Sequence, residues 1–157
     1  AFLAASVVGL FEDLIARVTV LAVFLPVVAG QGGNAGAQSL AVVMRGLVMR
    51  EIPRHKVWRL IGKESLIGIT NGLIVGIVTA LVVWLWHGNP FLGLVIALAM
   101  TANLVAAGFS GAVIPITMKA AGIDPAQSSS IVLTTITDVV GFFSFLGTAT
   151  LFQSYLL

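Results

Sequence analysis

Apolar runs long enough to cross a bilayer, separated by short polar punctuation, constrain this chain more than any other feature. A bilayer core takes about 20 apolar residues as a helix. Leu66 to Trp86 and Phe91 to Met118 meet that length, and Ala126 to Leu151 follows with a short tail. A further run, Leu14 to Val48, is far too long for one straight crossing at ~1.5 Å per residue. Before it, the eleven residues "AFLAASVVGLF" are too few for a span and end at Glu12 and Asp13. The chain is therefore expected to be a fragment whose first span lost its beginning. The expected fold is an all-α integral membrane protein. It is a five-helix transmembrane bundle with a truncated first helix and a broken or kinked second, forming one transmembrane domain over residues 1–157.

Composition agrees. Of 157 residues, 59% are hydrophobic and only 9% charged, against about 25% charged in soluble domains. The net charge of +2 is too small to suggest a nucleic-acid partner, and with no cysteine there is neither a disulfide framework nor a thiolate metal site. Nothing resembles a cleavable signal peptide.

The connections are short. "HGNP" (87 to 90) is a turn signal. "IDPAQ" (123 to 127) reads as a helix start, with Asp124 as a solvated N-cap, Pro125 at the first helical position and Gln127 completing a capping box. Six of the eight basic residues lie between Arg45 and Lys63, and Lys119 falls in the other connection on that side. Because cytoplasmic loops are enriched in Lys and Arg, the 44–64 loop is expected in the cytoplasm of a cell with this protein in its plasma membrane. The C-terminus is then outside. Trp58, Trp84 and Trp86 lie near span ends, where interfacial rings are common.

The long second run contains "PVVAGQGGNAGAQS" (26 to 39), with four glycines, a proline, an asparagine and two glutamines. Backbone groups freed from helical pairing in hydrocarbon cost several kcal/mol each, so a break there must face water or protein. Pro26 lacks an N–H, and Gly30, Gly32, Gly33 and Gly36 let a ligand or helix approach the backbone. Asn34 and Gln38, at i and i+4, share a face and offer amide oxygens to a cation or its water. Close helix packing is the competing account, because Ala29/Gly33, Gly32/Gly36 and Gly33/Ala37 match small-xxx-small spacing. The segment lacks the terminal Gly-Lys-Ser/Thr of a P-loop, and the dinucleotide glycine spacing fails at Ala35.

Asp138 is the one acid well inside a predicted span, and an embedded carboxylate reads first as functional. At 100° per residue Ser130, Thr134, Thr137, Asp138, Gly141, Ser144 and Thr148 fall within roughly 120° of one another. The competing account is an aspartate satisfied by hydroxyls across a helix interface. Asn71 and Asn103 read as interhelical hydrogen-bond glue, and His55 and His87 have no partner acid at metal-ligand spacing. All the available donors are oxygens, which favours a hard divalent cation. Magnesium, which keeps much of its water, suits a site with few carboxylates. One carboxylate per chain is thin for selectivity, so a homodimer facing two such acids across a two-fold axis is the economical arrangement.

At "PVVAGQGGNAGAQS" and "TTITDVVGFF" together, the sequence resembles the transmembrane domain of the MgtE family of magnesium channels. The basic "REIPRHKVWR" between them falls in the same order. The resemblance implies a homodimeric, magnesium-selective channel whose pore is lined by the second and fifth helices, with Mg²⁺ both bound and transported. It carries the pore aspartate to Asp138 and the pore segment to Gly30, Gly33, Asn34 and Gly36. Thr134 is a weaker contributor of a hydroxyl or backbone group. Gln38, Ser130, Thr137 and Gly141 complete the expected lining. The family's cytoplasmic regulatory portion is not in the chain, which leaves regulation by intracellular magnesium in question. An ion-coupled secondary transporter of divalent cations is the alternative. An enzyme is not expected, because an aspartyl protease needs two cooperating acids and Ser110 and Ser130 have no nearby base.

Overall fold

The computed structural model describes residues 1–157 apart from the side chains of Arg54 and Gln127, so the capping-box role expected of Gln127 lies outside the described residues. The chain folds as α1 (Phe2–Leu10), α2 (Glu12–Arg17), α3 (Val20–Val48), α4 (Val57–His87), α5 (Pro90–Ala120), α6 (Pro125–Leu151) and α7 (Gln153–Leu156), with a 3₁₀ turn at Arg54–Lys56. Among the described residues four helices, α3 to α6, are long and apolar enough to cross a membrane. The truncated first span of the sequence reading is present only as α1, whose 9 residues cannot reach across.

The expected break in the second span is corrected. Residues Val20–Val48 form one 29-residue helix that carries Pro26 inside it and runs through the whole glycine cluster. The interruptions come earlier, at Phe11 and at Val18–Thr19 on either side of α2. In an apolar medium no water competes for the peptide groups, so intrahelical bonding is kept where glycine would fray a helix in water.

Three helix ends follow their sequence signals. Gly88 closes α4 in the left-handed conformation (φ 73°), and Asn89 then accepts from the Phe91 and Leu92 N–H groups at 2.9 and 3.3 Å with Pro90 in the first turn. Asp124 accepts from the Ala126 N–H at 3.0 Å, which makes it the cap it was expected to be. Lys119 donates to the Leu47 carbonyl at 2.9 Å, so it lies at the same end of the bundle as the basic loop. A cation there also meets the negative end of the α3 dipole.

The bundle is organised around α5, which packs on α3, α4 and α6, while α3 also touches α6 and α1 lies against α6. In its most apolar window α5 is 56% buried and α4 22%, so α4 is the outermost of the four long helices. One face of α4 carries Ile61, Glu64, Gly68, Gly72, Gly76 and Val83, all buried, while Leu66, Ile69, Leu73, Ile77 and Leu85 are exposed. Lipid gives little drive for helices to associate, so small residues that permit close backbone approach hold them together. A Cβ on Gly72 would stand 2.8 Å from Thr101 Cα, and one on Gly76 would stand 2.9 Å from the Ala97 carbonyl oxygen. Leu21, Phe24 and Val28 of α3 meet Ile96 and Met100 of α5 and Phe145 and Leu146 of α6 in the main core.

Candidate cation path

The glycine run divides into packed and open positions. Gly32 and Gly36 are buried packing notches: a Cβ on Gly32 would run into the Asn103 side chain, and one on Gly36 would lie 2.9 Å from Leu133. Gly30 and Gly33 have nothing within 4 Å of an added Cβ. Gly30, Asn34, Ala37 and Ala41 are all exposed and recur at helical spacing, so α3 presents one open face with an amide on it. Packed and open positions therefore belong to different glycines, set apart by the helical period.

In the polar arc of α6, Ser130 and Thr134 are exposed, with Asp138 half-buried one turn further on. Thr134 donates its hydroxyl to the Ser130 and Ile131 carbonyls at 3.1 Å, which leaves its oxygen lone pairs available. The open face is narrower than the sequence arc implied. Thr137 is fully buried and donates to the Thr134 carbonyl at 3.1 Å, and Gly141 is buried against Asn103. Gln38, one turn beyond Asn34, is exposed and lines a separate lateral cavity shared with α4.

The account of Asp138 as an acid satisfied by hydroxyls finds no such bond. Each neighbouring hydroxyl is committed to a backbone carbonyl: Thr134 and Thr135 within their own turn, Thr137 to Thr134, and Ser144 to Ala99 and Gly141. Among the described residues the one sealed polar side-chain atom without a partner is Asn103 Oδ1, so the Asp138 oxygens are not sealed away. No three His, Cys, Asp or Glu side chains converge among the described residues. Asp138 therefore stands without a closed protein cage of ligands around it.

Asn103 is the glue the sequence indicated. It is fully buried, and its Nδ2 donates to the Val28 carbonyl at 2.9 Å while the side chain fills the notches at Gly32 and Gly141. One residue of α5 thereby sets the spacing of both α3 and α6. Asn71 does not share that role: it is exposed and lines the lateral cavity. Glu64 escaped the sequence reading, which left it at the end of the basic loop. The structure starts α4 at Val57 and buries Glu64 to 5% exposure. Its i, i+4 register with Gly68, Gly72 and Gly76 is the signal that would have placed it on the packed face.

These features define a polytopic α-helical membrane protein with a carboxylate, Asp138, embedded in one of its membrane-length helices. Residues 25–148 match the family model MgtE, described as a divalent cation transporter. The chain is 38% identical over 147 residues to the magnesium transporter MgtE of Bacillus subtilis, covering 94% of this chain and 33% of that protein. For the magnesium transporter MgtE of Enterococcus faecalis the identity is 36% over 151 residues, covering 96% and 33%. For that of Thermus thermophilus it is 32% over 146 residues, covering 93% and 32%. The chain spans about a third of the length of these relatives. It belongs to the MgtE family of divalent cation transporters.

Proposed function

We propose that the chain forms the pore-bearing membrane domain of a magnesium channel in the plasma membrane, working as a homodimer with the path between the two copies. The observation that carries this reading is Asp138, a half-buried carboxylate inside a membrane helix with no protein hydrogen bond among the described residues. A group that costs about 2.5–3.5 kcal/mol to place in a bilayer is accounted for if a hydrated cation is its partner. Asn34, Gly30 and Gly33 on α3, with Thr134 and Ser130 on α6, supply the remaining oxygens and the room for water. Mg²⁺ is then cargo held by its water shell, strongly enough to enter and weakly enough to leave. The connection between α3 and α4, with the basic segment 44–64 around it, faces the cytoplasm, and the C-terminus lies outside. Related proteins named as magnesium transporters support the choice of ion.

Proteoliposomes distinguish the channel from an ion-coupled transporter. With no pH or sodium gradient, Mg²⁺ entry is expected to rise steeply with an imposed inside-negative potential and to leave internal pH unchanged. Entry that requires a proton or sodium gradient, and saturates regardless of potential, establishes the transporter instead.

The open face of α3 supplies the dimer test. The chain has no cysteine, so Ala37→Cys introduces a single thiol on that face. It is expected to form an intermolecular disulfide in membranes under mild oxidation, while Ile74→Cys on the exposed side of α4 does not. Equal or reversed cross-linking places the subunit contact elsewhere.

A further inference from the structure

Beside the Asp138 face the molecule holds a second polar space. It is a cavity of about 270 Å³ between α3, α4 and α5, with Gln38, Ser39, Lys63, Glu64 and Asn71 among its lining. Glu64 is only 5% exposed, and no hydrogen bond or ion pair engages it among the described residues. Its oxygens are also not sealed, so what exposure remains opens on this cavity. An uncompensated carboxylate at that depth is costly unless a cation or donor reaches it.

We propose that this cavity is a second divalent-cation site, with Glu64 as its charged ligand, separate from the path at Asp138. The other groups suit a hard ion. Ser39 spends its hydroxyl proton on the Gly108 carbonyl at 3.2 Å, so its lone pairs remain for a cation or its water. Gln38 and Asn71 bring amide oxygens from facing helices, and neither is engaged in a hydrogen bond among the described residues. Water occupies about 30 Å³ per molecule in the liquid, so the cavity admits an ion that keeps part of its shell, as magnesium and manganese do. Gly108 is what lets α5 come this near, since a Cβ there would run into the Glu64 carbonyl. Lys63, exposed at the rim, adds a positive charge that opposes a cation entering the cavity. The site stands on its own geometry and does not need the pore reading to be correct.

Manganese is the probe. Ile67→Cys places a lone nitroxide label on an exposed residue of the cavity wall. Added Mn²⁺ is expected to broaden its spectrum in the reconstituted protein. The broadening is expected to vanish in Glu64→Gln and to persist in Asp138→Asn. Broadening that survives Glu64→Gln, or that is lost only in Asp138→Asn, overturns the proposal. Should Glu64→Gln fail to fold, Lys63→Met decides the question. Removing the opposing charge is expected to tighten Mn²⁺ binding about fivefold, and unchanged or weaker binding overturns the assignment.

Discussion

Asp138→Asn is expected to reduce Mg²⁺ flux at least ~100-fold in a protein that still folds and reconstitutes. The substitution preserves shape and the capacity for hydrogen bonds and removes only the charge. A dication about 5 Å from a carboxylate gains roughly 2 to 7 kcal/mol as the effective dielectric falls from that of water to that of a protein surface. Each 1.4 kcal/mol is a factor of ten in occupancy, so the upper half of that range carries the expected loss. The control is Asp124→Asn, which alters the exposed cap of α6 and is expected to leave flux unchanged. Wild-type flux from folded Asp138→Asn would remove the carboxylate from the path and leave the open face of α3 as the remaining candidate.

The second large effect concerns architecture. Gly32→Val is expected to destabilise the bundle by about 2–5 kcal/mol, combining overpacking with the loss of a buried hydrogen bond. The new Cβ would stand 2.6 Å from Asn103 Cγ, and Asn103 already fills the notch at Gly141, where an added Cβ would lie 2.6 Å from Nδ2, so it has little room to shift. Its bond to the Val28 carbonyl is then broken, leaving a fully buried amide without a partner. Thermal unfolding in detergent reads the loss, and adding Asn103→Ala is expected to restore part of it by vacating the notch. Gly30→Val, on the open face, is the matched comparison. If the two single variants melt alike, Gly32 is not the notch described here.

Much of this architecture was legible in the residues. The third, fourth and fifth spans stand within a few residues of their apolar runs, except that α4 starts at Val57, well before Leu66. Gly88, Asn89 and Asp124 cap helices as their residue types imply, because capping is chemistry between near neighbours in the chain. The glycine cluster misled in one respect. Local propensity reads it as a break, whereas α3 runs through it because a helix in an apolar, packed setting keeps its peptide bonds paired. The polar arc of α6 was sound as periodicity, yet periodicity does not say which residues of an arc meet another helix. Thr137 and Gly141 turn inward, Gly141 against Asn103 of α5, and Ser130 and Thr134 remain outside.

By itself, the sequence determined that the chain is a membrane-embedded helical bundle, where its principal helices lie, and which embedded acid stands out. Those follow from hydrophobic length, charge scarcity and the 3.6-residue period, all properties of the chain alone. Only the tertiary structure decided which glycines pack and which stay open, that Asn103 ties α3 and α6 to α5, and that Glu64 faces a cavity instead of solvent. Those depend on contacts between residues far apart in the chain, such as Asn103 with Val28 and Ser39 with Gly108, and periodicity within one helix carries no information about its neighbour.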